Sequence, residues 1–191
     1  MTIKKYHIVI AALVILAVQA AVLYWLGHPA ICRCGYVKIW DSVVKGPQNS
    51  QHLFDWYSFS HIISGFVIYF FLWLANKKLK WPVWYLLLVA LLISTGWELF
   101  ENTHFALSRF QHATIYTNYY GDSIINSLSD TVCVGIGFLL ARRLPVSVTI
   151  ILAVVMELVV GGMIHDNLTL NTIMLIHPFA SILKWQGALS P

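Results

Sequence analysis

Carboxylates recur at helical spacing inside two hydrophobic stretches of this chain. Asp122, Asn126 and Asp130 are spaced by four, so one face of a helix would present all three side chains. Glu98 and Glu101 lie three residues apart in the other stretch. Clustered carboxylates exchange protons in general acid–base catalysis or bind a divalent cation. We therefore take these five residues as candidates for a catalytic site, with Asn126 orienting the substrate.

Histidines at two positions could complete that site. His61 opens a further hydrophobic stretch and, like His104, could shuttle protons for the carboxylates. Glu101 and His104 also have the i, i+3 spacing that helical bundles use in carboxylate-bridged metal sites, which makes them candidate metal ligands. A matching second copy of this pattern is missing. The cofactor therefore stays open, with a divalent metal as one candidate.

Further polar residues flank the hydrophobic stretches, and we take them as candidates for substrate binding: His52, Asp55, Tyr119, Asp166 and Asn167. The alternative is structural, because polar side chains in membrane helices often only hold the helices together by hydrogen bonds. The two interpretations predict different geometry. The carboxylates of an enzyme converge on an open cavity, whereas those of a structural network are each capped by a neighbour in a closed core.

The elements that must position these residues are membrane helices. Apolar residues make up 59% of the 191 residues and charged residues only 10%, whereas a soluble domain carries about 25% charged residues. This composition predicts an all-α, polytopic membrane bundle in a single domain over residues 1–191. The net charge of +4 gives no reason to expect nucleic-acid binding, because the position of the charges matters more than their sum in a membrane protein.

Five apolar runs are long enough to span a bilayer. The predicted spans are 8–26, 59–76, 82–101, 123–141 and 146–164, with outer loops over 27–58 and 102–122. The first run is read as a signal anchor rather than a cleaved signal peptide, because it exceeds the usual length of a signal-peptide core. The tail over 168–186 is apolar but interrupted by Asn171, His177 and Pro178, which predicts an interfacial or re-entrant helix.

The charges divide between the two sides of such a bundle. Alternating spans put seven basic residues and no acid on one side: Lys4, Lys5, Lys77, Lys78, Lys80, Arg142 and Arg143. All eight acids then lie on the other side. Because basic residues concentrate in cytoplasmic loops, we expect the N-terminus inside, the C-terminus outside and the carboxylate site on the outer side.

Cysteines occur twice in the first outer loop, as Cys32 and Cys34. A disulfide, internal or to a partner, is favoured there if the loop lies in an oxidising compartment. Two cysteines alone are too few ligands to indicate a metal site.

Several motifs together resemble one family of bacterial multi-pass inner-membrane proteins, the domain of unknown function 2585 family. They are Cys32-Arg33-Cys34-Gly35, Ser50-Gln51-His52, Asp55-Trp56-Tyr57-Ser58, Ser60-His61, Trp97-Glu98-Leu99-Phe100-Glu101-Asn102, Tyr119-Tyr120-Gly121-Asp122-Ser123, Asn126-Ser127, Ser129-Asp130 and Asp166-Asn167-Leu168-Thr169-Leu170-Asn171. The resemblance implies a bacterial inner-membrane location but no settled activity. Together with the distribution of charge, it leads us to expect a polar site that faces the periplasm. More loosely, the acid-rich helices are similar to VanZ-like proteins, which are linked to envelope and glycopeptide-resistance phenotypes.

The leading functional hypothesis is an enzyme that acts on a lipid-linked or cell-envelope substrate at the outer leaflet. Membrane lipids or lipid-linked molecules are then the expected partners, and the oligomeric state is left open. The alternative is a non-catalytic accessory or binding protein with a structural polar network. A transporter ranks third, because the inner halves of the spans carry few polar groups that could conduct a solute.

Overall fold

The computed structural model of the chain describes residues 5–113 and 119–187, and its regular elements in these ranges are eight α-helices. They are α1 (Lys5–Trp25), α2 (Tyr57–Leu79), α3 (Val83–Glu101), α4 (His104–Ala113), α5 (Ile124–Arg143), α6 (Val146–Ile164), α7 (Leu168–Ile176) and α8 (Ala180–Gly187). The described residues form no strand beyond an isolated bridge between Trp40 and Phe54. The predicted all-α bundle is confirmed.

Five of these helices, α1, α2, α3, α5 and α6, are long and apolar enough to cross a membrane. Each begins and ends within three residues of its predicted span. Pro82 and Pro145 occupy the N-cap positions of α3 and α6, where their missing N–H groups cost no helical hydrogen bond. Outward faces carry large apolar side chains such as Leu13 and Leu158, which are 60% and 69% exposed. Such faces fit a lipid environment, so the chain is a multi-pass membrane protein.

Two elements outside the spans differ from the prediction. The tail forms two short helices, α7 and α8, rather than one, because Pro178 cannot donate a helical hydrogen bond and disfavours a helical conformation at His177. The second outer loop contains the unpredicted α4, whose buried Ala106 and Phe110 are four residues apart on one face. Both differences lie in segments too short to show a clear period in the sequence.

Helix α5 is the centre of the bundle and packs most extensively against α2, with further contacts to α3, α1 and α6. Glycines allow α2 and α5 to approach so closely. A Cβ atom on Gly137 would overlap the carbonyl oxygen of Ile62, and one on Gly65 would overlap that of Val134. Small residues at such crossings let helix backbones pack in direct contact within membranes.

A buried glutamine joins α1 to the rest of the bundle. Gln19 donates from Nε2 to the carbonyl oxygen and Oγ of Ser127, at 3.0 and 2.8 Å. Its Oε1 accepts from Thr95 at 3.0 Å and from Thr131 at 2.9 Å. We refer to these four residues as the Gln19 network. Since it links α1 to α3 and α5, the first span is an integral part of the packed structure.

Candidate functional site

Three side chains from three spans meet near one end of the bundle, opposite the basic ends of α2 and α5. His61 comes from α2, Glu98 from α3 and Asp130 from α5. His61 Nδ1 lies 3.5 Å from Glu98 Oε1, and His61 Nε2 lies 3.8 Å from Asp130 Oδ2. One donor atom from each of the three residues falls within 4.8 Å of the other two. We call these residues the histidine–carboxylate cluster.

The carboxylates of this cluster are buried and only partly hydrogen-bonded. Glu98 is 0% exposed, and its Oε2 accepts a hydrogen bond from Ser127 Oγ at 2.7 Å. Its Oε1 has no hydrogen-bond partner within residues 5–113 and 119–187. Asp130 accepts from Ser58 Oγ at 3.4 Å. In the same ranges, no lysine or arginine forms an ion pair with either carboxylate. The cluster therefore has unused capacity to bind a proton, a cation or a substrate.

A cavity of about 760 Å³ opens beside the cluster. Its wall within the spans comes from α2, α3 and α5, and α4 and α7 close it at the adjoining end. The apolar lining includes Val67, Ile68, Ile93, Trp97, Phe100 and Leu175. The polar lining includes His61, Glu101, Tyr119, Asp122 and Asp130. The cavity therefore combines a long apolar wall with a carboxylate-rich end, which suits an amphiphilic molecule.

Asp122 lines this cavity, but neighbouring groups already satisfy it. Its carboxylate accepts from Asn102 Nδ2 at 2.8 Å and from Tyr119 Oη at 2.6 Å, and its backbone N–H donates to Asn102 Oδ1 at 2.7 Å. Burial raises the pKa of Asp122, and the hydrogen bonds from Tyr119 and Asn102 oppose that rise. A Cβ on Gly121, which has a φ of +91°, would lie 2.6 Å from the ring of His28. Asp122 thus belongs to a tightly built turn.

Asn126, His52 and Asp55 do not line the cavity. Asn126 donates to the backbone carbonyl of His52 at 2.8 Å. The His52 ring accepts at Nδ1 from the backbone N–H of Lys38 and donates from Nε2 to Oε1 of Gln48. Burial lowers the pKa of His52. Burial also raises the pKa of Asp55 to about 7, although the Tyr57 N–H donates to its carboxylate at 2.8 Å. These residues order the first outer loop against α5.

Asp166 and Asn167 hold the tail and likewise do not line the cavity. Asp166 is fully buried and accepts from Tyr57 Oη at 2.9 Å and from Gln186 Nε2 at 3.1 Å. Asn167 caps α7 by accepting from the N–H of Leu170. These contacts hold α7 and α8 against the start of α2. The two residues therefore position α7, which lines the cavity, without lining it themselves.

Glu157, a half-buried acid within α6, binds the start of α7. Its two carboxylate oxygens accept from the N–H groups of Leu168 and Thr169, both at 3.1 Å. An anion is favourable at a helix N-terminus. Arg109 occupies the opposite end of the same helix, where it donates to the carbonyl oxygens of Leu175 and Ile176. Both charges therefore stabilise α7, and Arg109 also reaches the cavity lining.

The candidate metal ligands Glu101 and His104 are not brought together with a third ligand. Glu101 lines the cavity, whereas His104 is exposed and does not. In the part of the chain that the structure describes, the groups of three potential ligands are the histidine–carboxylate cluster and Cys32, Cys34 and His52. The two cysteines form a disulfide with each other, which removes their thiolates as ligands.

Sequence reasoning missed Gln19, Ser58 and Asn102 as polar contacts of these networks. A glutamine within an otherwise apolar span was the available signal for Gln19, because such a residue needs partners inside the membrane. Asn102 directly follows the predicted third span, so the sequence placed it at the end of a helix. Which carboxylate each residue contacts depends on the helix crossings, which the sequence does not display.

The fold and site define a multi-pass membrane protein with a histidine–carboxylate cluster beside a large cavity. Residues 23–188 match the family described as "Protein of unknown function (DUF2585)", and the chain belongs to that family. It is 46% identical to a UPF0314 protein of Rhizobium meliloti over 178 residues, which cover 93% of this chain and 89% of that protein. A UPF0314 protein of Paracoccus denitrificans is 38% identical over 179 residues, or 94% and 92% of the two chains. No solved structure matches the chain.

Proposed function

We propose that this protein is a membrane enzyme that acts on a lipid-linked or cell-envelope substrate at the outer leaflet of the bacterial inner membrane. The observation that carries this proposal is the cavity of about 760 Å³, which joins an apolar wall in the spans to a carboxylate-rich end. Its volume lies within the range of small-molecule sites, and its apolar wall is suited to a hydrocarbon chain.

The chemistry proposed is proton transfer. His61 and Asp130 reach the cavity, and Glu98 lies directly behind His61 at 3.5 Å. The imidazole of His61 would accept a proton from the substrate or donate one to it. Glu98 would orient the ring, and Asp130 would contact the same reacting group of the substrate. Glu101 would contact the polar part of the substrate. Asn126 and His104 have no role in this proposal, because neither lines the cavity.

The periplasmic orientation rests on the distribution of charge. Lys77 and Lys78 end α2, and Arg142 and Arg143 end α5, so basic residues mark one end of the bundle. The cluster lies at the other end of the same helices. Because cytoplasmic loops are rich in lysine and arginine, the cavity would face the periplasm.

The alternative is a non-catalytic accessory protein. The Asp122 part of the site favours this alternative, because Asn102 and Tyr119 already satisfy the Asp122 carboxylate.

Lipid profiles distinguish an enzyme from an accessory protein. Cells that lack the protein, and cells that carry the His61→Ala or Asp130→Asn variant, should share the same change in one class of envelope lipid. Cells that carry His112→Gln, a change at an exposed histidine of α4, should resemble wild type. Unchanged lipids in the deletion strain would contradict enzymatic activity.

A further inference from the structure

We infer that His61, Glu98 and Asp130 form a binding site for one divalent transition-metal ion, such as Zn²⁺ or Mn²⁺. This site differs from the Glu101–His104 pair that the sequence pattern favours. It also does not depend on the proposed lipid-linked substrate, because an accessory protein could bind the same ion.

The unpartnered oxygen of Glu98 is the first argument. Glu98 is 0% exposed, and within the described residues its Oε1 has no hydrogen bond. Ser127 fixes the other oxygen at 2.7 Å, so Oε1 is directed at His61. A buried carboxylate oxygen with no donor costs free energy unless a proton or a cation satisfies it. Ser127 thus acts as the outer hydrogen-bond partner that metal-bound carboxylates commonly have.

The distances are the second argument. His61 Nδ1 lies 3.5 Å from Glu98 Oε1 and His61 Nε2 lies 3.8 Å from Asp130 Oδ2, so each ring nitrogen faces one carboxylate at a distance too long for a good hydrogen bond. One ion would bind only one of these two nitrogens. Bonds of about 2.0–2.2 Å to a zinc ion place neighbouring donor atoms roughly 3–3.6 Å apart. One donor atom from each residue already lies within 4.8 Å of the others, so small side-chain rotations would bring all three to one ion.

The donor set and its surroundings select the kind of ion. One imidazole nitrogen and two carboxylates suit Zn²⁺ or Mn²⁺ better than Ca²⁺ or Mg²⁺, which prefer oxygen ligands alone. Two buried carboxylates without a lysine or arginine partner in the described ranges also favour a cation. Because His61 and Asp130 line the cavity, further coordination positions would be open to water or to a ligand.

The test is metal binding by the purified full-length protein in detergent. After loading with Zn²⁺ and desalting, wild type should retain about one zinc ion per chain by elemental analysis. Glu98→Gln, Asp130→Asn and His61→Phe should each weaken the affinity at least about 100-fold, and Ser127→Ala roughly 10–100-fold. Glu101→Gln and His104→Gln are the matched controls, since they change the same residue types nearby, and both should bind as wild type does.

A second measurement separates lost ligands from lost folding. Zn²⁺ should raise the thermal unfolding temperature of wild type and of the two controls but not that of the three ligand variants, which should still elute as folded protein. Co²⁺ should give a visible absorption band in wild type that the ligand variants lack. Equal zinc content in wild type and the ligand variants, or loss of zinc in Glu101→Gln and His104→Gln, would overturn the assignment. Bound metal with unchanged cellular lipids would instead contradict only the proposed enzymatic function.

Discussion

Two buried polar regions adjoin each other at α5, and they differ in how far their hydrogen bonds are satisfied. In the Gln19 network, the amide group of Gln19 makes four hydrogen bonds of 2.8–3.0 Å. In the histidine–carboxylate cluster, Glu98 Oε1 has no partner in the described ranges and the ring of His61 stands 3.5 and 3.8 Å from its neighbours. Ser127 touches both regions, because it contacts Gln19 and Glu98.

This difference is the reason why we assign a structural role to the Gln19 network and propose a functional one for the histidine–carboxylate cluster. A satisfied amide in the membrane holds helices together and gains nothing from a ligand. A carboxylate with an unused oxygen next to a cavity remains available to a proton, an ion or a substrate. Both regions consist of polar residues in apolar helices, so residue type alone does not distinguish them. Only the number of partners does.

Substitution of Gly137 should disrupt the histidine–carboxylate cluster and have the largest effect on stability. In Gly137→Ala the new Cβ would overlap the Ile62 carbonyl oxygen, so α2 must move away from α5 and carry His61 away from Asp130. We expect a loss of about 3 kcal/mol in stability, because the obstructing atom belongs to the backbone. Thermal unfolding in detergent measures the change.

Gly162→Ala is the matched control, because nothing lies within 4 Å of a Cβ at that exposed position of α6. It should leave stability unchanged or raise it slightly, since alanine favours a helix over glycine. Equal behaviour of the two alanine variants would show that the close crossing of α2 and α5 is not required.

Asp55 offers an intermediate case, a buried carboxylate with few donors that lies outside the spans. Its pKa rises from 3.8 to about 7, chiefly through burial, with Asp122 adding to the rise. Asp55 also interacts electrostatically with the span carboxylates Glu98, Glu101 and Asp130. The folded state therefore keeps a proton that the unfolded state releases above pH 4, so wild type should lose stability as the pH rises from about 4 to 7.

Asp55→Asn removes that titration and keeps an oxygen that can accept from Tyr57. The stability of the variant relative to wild type should therefore increase by roughly 2–3 kcal/mol between pH 5 and pH 7 and stay constant above pH 7. Chemical unfolding in detergent with a chelator present, at half-unit pH steps, measures this difference. A relative stability independent of pH would mean that Asp55 is ionised normally in the folded protein.

Replacement of Gln19 should disrupt the Gln19 network but not the histidine–carboxylate cluster. Its effect on stability should be the smallest of the three substitutions. Gln19→Leu removes four hydrogen bonds, each worth about 0.6 kcal/mol in membrane proteins, so stability should fall by about 2 kcal/mol. Zinc binding should persist, because Ser127 still contacts Glu98. Val18→Leu, at a neighbouring position of α1 that is 52% exposed, should have no effect on either property. Loss of zinc binding in Gln19→Leu would indicate one continuous network rather than two regions.

The sequence was most informative about the spans. Runs of 18–20 apolar residues, the prolines before α3 and α6 and the basic residues after α2 and α5 are local features, and a bilayer demands long helices because exposed backbone groups cannot be satisfied in lipid. The helix boundaries of the spans were therefore predictable to within three residues. The helical tail was predicted over 168–186, where α7 and α8 lie, although its division into two helices was not predicted. Helix α4 was not predicted, because its stability comes from contacts such as those of Phe110 with distant parts of the chain.

The sequence by itself determined that carboxylates and a histidine lie near the ends of several spans, opposite the ends that carry lysine and arginine, since helical spacing fixes which residues share a face. Tertiary structure alone decided which of them meet. Asp122 and Asp130 are eight residues apart, yet Asp122 lies in the turn before α5, where Asn102 and Tyr119 donate to it, while Asp130 lies within α5 and faces His61 across the α2–α5 contact. The reason is physical: a spacing rule fixes rotation about one helix axis, whereas the partners of a side chain depend on where the neighbouring helices cross.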